Sequence, residues 1–165
     1  MTTDPTWQAT GVRRTSAIRV VVADDDEIMR RAIVDVLAAH GAFEVVGEVA
    51  DGADLGDVVD QCRPGLVVLD VRMPSGGPTA VRLVRSRPPS PVVVAVSAST
   101  DVPTVVAMMR AGAAGFLAKG RLGSSFGDDL ARCVAGDVLV SVPHAAQVLR
   151  ALEAHPAAEP DAWGQ

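Results

Sequence analysis

The sequence predicts an α/β fold: a doubly wound parallel sheet with helices on both faces. Short apolar runs alternate five times with segments of helical spacing, as expected for consecutive βα units joined by right-handed crossovers. Valine and alanine supply most of a hydrophobic fraction of 48%, whereas aromatic residues make up only 3%. A core of this composition suits parallel strands that are buried on both faces.

Five strand-length runs rich in β-branched residues are the predicted strands. They are Ile18–Ala23, Phe43–Ala50, Leu66–Leu69, Val92–Val96 and Gly115–Ala118. The segments of helical spacing that follow them are Glu27–His40, Ala53–Cys62, Pro78–Arg85, Val102–Ala111 and Ser125–Gly136.

Turn and cap residues support the ends of several predicted helices. Gly41 directly follows the first helix, where glycine often ends a helix in the left-handed conformation. Pro78 and Pro103 fall in first turns, where the missing N–H has no helical partner to lose. Ser125, with Asp128 three residues later, predicts a capping box at the start of the last of these helices.

The pattern divides the chain into four parts. Residues 1–17 are expected to form a disordered arm, and residues 18–136 the folded domain. Residues 137–155 are predicted to hold an extra helix or linker, because Val142–His155 is amphipathic. Residues 156–165 form a polar tail that contains proline.

Composition also excludes several classes of protein. A net charge of −5 argues against direct binding of nucleic acid, which requires clustered Lys and Arg. No apolar run approaches the ~20 residues that a membrane span needs. Cys62 and Cys133 lie far apart in predicted helices and show neither disulfide nor metal spacing. We therefore expect a cytoplasmic protein with no membrane contact.

Three carboxylates follow two of the predicted strands. Asp24 and Asp25 end the first strand, and Asp70 follows the apolar run LVVL of the third. Acidic residues often stand at helix N-termini, but that role does not explain adjacent carboxylates at a strand end. Functional groups of open α/β sheets gather beyond the carboxyl ends of the strands. Carboxylates that converge there repel one another unless a hard cation such as Mg²⁺ binds between them.

A hydroxyl and an ammonium are predicted at the same edge of the sheet. Ser97 ends the fourth strand and Lys119 follows the fifth. Each residue alone would be unremarkable as an exposed loop serine or a solvated lysine. Next to Asp70, however, they complete the set of groups that phosphoryl transfer to a carboxylate requires.

Four motifs in a fixed order carry a resemblance to a known family. They are VVADDDE, LVVLDVRMP around Asp70, VSA around Ser97, and AGAAGFLAKG ending just after Lys119. Over Ile18–Gly136 the sequence resembles receiver domains of bacterial two-component response regulators, and it is most similar to the nitrate-response branch. The resemblance implies a flavodoxin-like, five-stranded parallel sheet with strand order 2-1-3-4-5, plus an extra C-terminal helix.

The resemblance also implies roles for the site residues. Asp70 would be the phosphoacceptor for a sensor histidine kinase. Asp24, Asp25, Asp70 and the backbone carbonyl of Arg72 would hold Mg²⁺, with Asp25 the more direct ligand. The domain would assist its own phosphorylation and dephosphorylation without being an enzyme that acts on a separate substrate.

The resemblance further implies a conformational switch. Ser97 and Lys119 would move toward the phosphoryl group, and Phe116 would rotate from an exposed to a buried position. The altered face is expected to form or strengthen a homodimer; it consists of Val102–Ala111, Gly115–Ala118 and Ser125–Ala135. Members of this branch usually regulate transcription through a helix-turn-helix domain, and no such pattern follows in this chain.

The sequence departs from the family pattern at two local positions. Met73 and Pro74 are followed by Ser-Gly-Gly-Pro rather than the usual Asp-Gly, and Gly120 follows Lys119. Three other interpretations of the sequence are also open. The first alternative is a stand-alone receiver or a pseudo-receiver that acts through protein contacts without phosphorylation, although a pseudo-receiver would usually lack an acidic residue or the lysine. A haloacid-dehalogenase enzyme needs a carboxylate where Arg72 stands. A nucleotide-binding domain needs glycines after the first strand, where this sequence has acidic residues, so that class is disfavoured.

Overall fold

A single sheet of six parallel strands forms the centre of the protein in the computed structural model, which describes residues 16–154. The strands are β1 (Ile18–Ala23), β2 (Phe43–Val49), β3 (Leu66–Asp70), β4 (Val92–Ser97), β5 (Gly115–Ala118) and β6 (Leu139–Ser141). Their spatial order is β2-β1-β3-β4-β5-β6. The predicted N-terminal arm, apart from its last two residues, and the predicted polar tail lie outside the described residues.

Six α-helices surround the sheet. They are α1 (Glu27–His40), α2 (Leu55–Cys62), α3 (Gly77–Arg85), α4 (Val102–Arg110), α5 (Phe126–Val134) and α6 (Ala145–Ala154). Two short 3-10 turns, Gly52–Asp54 and Lys119–Arg121, lie beside the carboxyl ends of the strands. None of the helices within residues 16–154 is long and apolar enough to cross a membrane.

The core consists of two apolar layers separated by the sheet. Successive side chains of β1 alternate between them: Val20 and Val22 belong to the layer that also holds α1 and α5, whereas Val21 and Ala23 belong to the layer of α2, α3, α4 and α6. Every residue of β3 is buried. Helices on both faces confirm the predicted doubly wound fold, and the valine-rich strands account for burial on both sides.

The prediction of five strands is wrong, because β6 adds a sixth at the β5 edge. Gly115 of β5 lies opposite Leu139, and the Leu139 N–H donates to the carbonyl of Ala114 at 3.0 Å. Three residues are too few to show strand periodicity in a sequence, so the unpaired backbone of the β5 edge determines this strand. The predicted extra C-terminal helix is confirmed as α6.

Helix ends follow the predicted chemistry at α1 but not at α5. The Asp26 carboxylate accepts hydrogen bonds from the N–H groups of Ile28 and Met29, and Gly41 ends α1 at φ +76°. The capping box predicted at Ser125 is wrong. The Ser125 backbone is already helical (φ −83°, ψ −9°), and its side chain makes no capping hydrogen bond. An N-cap hydroxyl reaches the first turn from an extended backbone, which this residue lacks.

Candidate functional site

The three predicted carboxylates meet at the topological switch point between β1 and β3. One carboxylate oxygen each from Asp24, Asp25 and Asp70 lie within 4.8 Å of one another. Asp24 and Asp70 are buried, whereas Asp25 is exposed. The parallel pairing of β1 with β3 brings these strand ends together, and this edge is where ligands bind in open α/β sheets.

Lys119 lies between the two buried carboxylates. Its Nζ is 2.7 Å from Asp24 Oδ2 and 3.3 Å from Asp70 Oδ2. Burial lowers the pKa of Lys119, but the hydrogen bonds and charges of Asp24 and Asp70 outweigh burial and raise its pKa above the ordinary value. The ammonium therefore stays protonated and neutralises part of the cluster.

Asp70 lies in surroundings that perturb its ionisation. Burial raises its pKa, and the nearby charge of Asp24 raises it further. The Arg72 N–H, which donates to Asp70 Oδ1 at 3.3 Å, and the charge of Lys119 act in the opposite direction without cancelling the rise. Ionised Asp70 is therefore held at a cost in free energy, as is common for reactive groups.

Asp24 is fixed by its backbone and its side chain. Its N–H donates to the carbonyl of Val49 at 2.9 Å, and its Oδ1 accepts from the N–H of Asp26 at 2.9 Å. The Arg30 guanidinium donates to the Asp24 carbonyl at 2.7 Å. Sequence reasoning missed Arg30, although its position one turn into α1 places it near the end of β1.

An open cleft of about 460 Å³ lies over Asp70. It is lined by Asp70, Arg72, Ala98, Ser99 and Lys119. Ser97, which the sequence predicts as the hydroxyl of the site, is fully buried at the end of β4 and accepts from the Ser99 N–H at 3.1 Å. The serine that lines the cleft is Ser99, which sequence reasoning did not single out; its hydroxyl donates to Asp101 Oδ2 at 2.8 Å.

The donor atoms of this cluster suit a hard divalent cation. Three carboxylates provide oxygen ligands only, and Lys119 is the only ammonium in direct contact with them among residues 16–154. The Lys119 ammonium balances one of the three negative charges and leaves two unbalanced. The exposed Asp25 carboxylate faces solvent. Oxygen ligands of this number and charge favour Mg²⁺ over softer metals.

The sequence model of the response regulator receiver domain matches residues 20–122. This chain belongs to the response regulator receiver family. The receiver domain is 39% identical over 105 residues to response regulator GacA of Pseudomonas aeruginosa, covering 62% of this chain and 49% of that protein. It is 38% identical over 104 residues to protein-glutamate methylesterase/protein-glutamine glutaminase 4 of Myxococcus xanthus, covering 62% and 30%. The match thus spans half or less of these relatives.

Solved structures of receiver domains share the fold. The signal receiver domain of the response regulator NarL from Mycobacterium tuberculosis superposes with a TM-score of 0.69 at 33% identity, covering 73% of this chain and 98% of that one. A LuxR-family response regulator from Aurantimonas superposes with a TM-score of 0.75 at 23% identity, covering 85% and 100%. The predicted flavodoxin-like order is therefore confirmed for the first five strands.

Gly52 fixes the loop that follows Asp70 in this receiver domain. Its N–H donates to the carbonyl of Pro74 at 2.8 Å, and Ser75 adopts a left-handed backbone conformation at φ +55°. A β-carbon on Gly52 would collide with the carbonyl oxygen of Ser75. The unusual Ser-Gly-Gly-Pro loop is thus held by a close backbone approach that only glycine permits.

We expect Gly52→Ala to destabilise the receiver domain by about 2 kcal/mol, because the loop after Asp70 must shift to admit the methyl group. Gly120→Ala is the matched control, since nothing lies within 4 Å of a β-carbon at that position. Urea unfolding of both variants measures the difference. Equal midpoints for the two variants would contradict the close approach.

Proposed function

We propose that the domain accepts a phosphoryl group on Asp70 from a sensor histidine kinase and responds with a change in its signalling surface. The observation that carries the proposal is the convergence of Asp24, Asp25, Asp70 and Lys119 at the switch point of a receiver fold. Each group is of the type that phosphoryl transfer to a carboxylate uses.

In the proposed reaction an Asp70 carboxylate oxygen attacks the phosphorus of a phosphohistidine. A new P–O bond forms as the P–N bond breaks, and its electron pair returns to the imidazole nitrogen of the kinase. Asp70 is suited to this role because it lines an open cleft, while the Arg72 N–H that donates to its carboxylate holds it in place. Lys119, already 3.3 Å from Asp70, neutralises charge that arrives with the phosphoryl group.

Mg²⁺ would be held by Asp24, Asp25, Asp70 and the backbone carbonyl of Arg72. When bound, it supplies positive charge and orients the phosphoryl oxygens. The fit rests on the three carboxylates within 4.8 Å and on the exposure of Asp25 toward solvent. Because Asp24 already contacts the Lys119 ammonium, we assign Asp25 the more direct role in binding the metal.

The wider role is part of the same proposal. The domain would act in the cytoplasm with a sensor kinase and homodimerise on phosphorylation, without itself contacting DNA or a membrane. The resemblance to the nitrate-response branch supports an output in transcription, carried by a separate domain, and the similarity to response regulator GacA agrees with a response-regulator role. Similarity to a protein-glutamate methylesterase supports an enzymatic output as the second candidate.

The test is phosphorylation of the full chain by a small-molecule phosphodonor in the presence of Mg²⁺. We expect one acid-labile phosphoryl group per chain by intact-protein mass spectrometry, and none when EDTA replaces Mg²⁺. Absence of the adduct with both the small donor and a panel of purified histidine kinases would overturn the proposal and favour the pseudo-receiver interpretation.

A further inference from the structure

The chain's own C-terminal segment covers the edge of the sheet at β5. β6 pairs with β5 so that Val140 lies opposite Phe116, and α6 packs on α4. The Arg110 guanidinium of α4 donates to the carbonyl of Ala151 in α6 at 3.1 Å. We call residues 139–154 the β6–α6 cover, and the surface of α4 and β5 beneath it the α4–β5 face. Part of the dimer surface expected from the sequence is therefore already occupied.

The cover also determines the position of Phe116. The sequence led us to expect a Phe116 that begins exposed, but the structure contradicts this, since its side chain is 0% exposed. It belongs to the same buried apolar cluster as Val142 and Val148 of the cover. Protein interiors are close-packed, so Phe116 has no room to rotate outward unless the cover moves first.

The carboxyl end of β5 connects the cover to the phosphorylation site. Ala118 pairs with Ser97 of β4 on one side, and Leu117 pairs with Ser141 of β6 on the other. Lys119 follows directly and contacts Asp24 and Asp70. Lys119 therefore directly follows a strand end that β6 shares.

A second contact reaches the cover from the same turn. Arg121, two residues after Lys119, places Nη1 at 3.4 Å from the hydroxyl of Ser141. This hydrogen bond is long and exposed, and a small shift of the turn is enough to break it. The turn that carries Lys119 thus also carries one of the polar contacts that hold β6.

The cover is held more lightly than the central strand β3. All three residues of β6 are only partly buried, whereas all five residues of β3 are buried. Within α6, Val148 is the one fully buried side chain. Elements with few buried apolar contacts open locally at a lower free-energy cost than the rest of a fold.

We propose that phosphorylation of Asp70 loosens the β6–α6 cover and frees the α4–β5 face; the inference rests on the proposed function. The phosphoryl group attracts Lys119 away from Asp24, and the end of β5 shifts with it. The Leu117–Ser141 pairing and the Arg121–Ser141 contact weaken together. Because coupling is reciprocal, a weaker cover must in turn favour the phosphorylated state.

Hydrogen exchange of the full chain, read by mass spectrometry on the same samples as the phosphoryl adduct, tests the inference. With a small-molecule phosphodonor and Mg²⁺, we expect amides of residues 139–154 to exchange at least about tenfold faster, while those of β1 and β3 do not change. Asp70→Asn should show no acceleration. A complete adduct with unchanged protection in the cover would overturn this inference and leave the proposed function intact.

Two neighbouring substitutions in α6 test the reciprocal effect. Val148→Ala removes the buried contact, whereas Leu149→Ala alters a side chain that is 54% exposed on the same helix. We expect Val148→Ala to accelerate exchange in residues 139–154 without a phosphodonor and to raise the phosphorylated fraction at fixed donor concentration. Leu149→Ala should do neither. A loosened cover with an unchanged phosphorylated fraction, while β1 stays protected, would overturn the inference; absence of an adduct in every protein would overturn the proposed function with it.

Discussion

Asp70→Asn is expected to abolish phosphoryl incorporation and, in the absence of metal, to make the protein more stable. The amide is not a nucleophile toward phosphorus, so the adduct should disappear entirely if Asp70 is the acceptor. The variant would lose its reaction through chemistry rather than through unfolding. The two effects have opposite signs, which separates a site residue from a residue that only supports the fold.

The gain in stability follows from the electrostatics of Asp70. Burial, with the charge of Asp24 beside it, raises its pKa above the ordinary value in spite of Lys119. A raised carboxyl pKa means that the folded state loses stability as pH rises from the unfolded pKa through the folded one. Above the folded pKa that loss is complete, and an uncharged Asn side chain avoids it. We expect a gain of about 1 kcal/mol in EDTA.

Mg²⁺ is expected to reverse the difference in stability between the wild type and Asp70→Asn. Millimolar Mg²⁺ should stabilise the wild type by mass action and stabilise Asp70→Asn less, because one carboxylate ligand is missing. Urea unfolding in EDTA and in Mg²⁺, with intact-protein mass spectrometry of the same preparations, gives both readouts. An adduct that persists in Asp70→Asn would remove Asp70 as the acceptor. Identical unfolding midpoints for both proteins in both buffers would contradict a shared metal site.

Lys119→Met is expected to cause the largest loss of stability of any single change at the site. Lys119 is the only lysine in the chain, and its ammonium contacts both buried carboxylates. Methionine fills a similar volume without the charge, so Asp24 and Asp70 would face each other with no cation in contact. Removing one partner of a buried ion pair costs about 3–5 kcal/mol, and we expect a value near the lower end in EDTA because the cleft admits water.

Two further variants identify the cause of that loss. Lys119→Arg keeps the charge, although its planar group fits the position less well than an ammonium, and should be less destabilising. Asp24→Asn in the Lys119→Met background removes one of the unpaired charges and should recover part of the lost stability, giving a non-additive double-mutant cycle. Mg²⁺ should also recover part of it. Additive losses in the cycle, with no response to Mg²⁺, would contradict the ion-pair account.

The sequence predicted most of the fold because its strands are short apolar runs with clear ends. LVVL followed by Asp70 marks a buried strand that stops at a charged residue, and β3 ends where that pattern ends. Gly41 marks the end of α1 through a conformation that other residues adopt at a cost. At both positions the residue type alone indicates where the strand or helix ends.

The features that escaped prediction depend on contacts between distant parts of the chain. β6 forms because the edge of β5 offers unpaired backbone groups. The three residues of β6 are too few to indicate a strand by their own sequence pattern. Likewise, the burial of Phe116 depends on a cover that begins more than twenty residues later in the chain. Arg30 is the exception, because it lies only one turn into α1 and close in sequence to Asp24, whose carbonyl it contacts.

The separation of the site residues along the chain has a consequence for biosynthesis. Asp24, Asp70 and Lys119 come from three strand ends, and Lys119 is supplied by the fifth strand in the chain. Pairing of such distant segments is a late and cooperative event in folding, because each closure must overcome chain entropy. A nascent chain that has made β1 to β4 holds Asp70 without its counter-charge. Under the proposed function, competence to accept a phosphoryl group therefore arises only after β5 has joined the sheet, so that incompletely folded molecules would stay inactive.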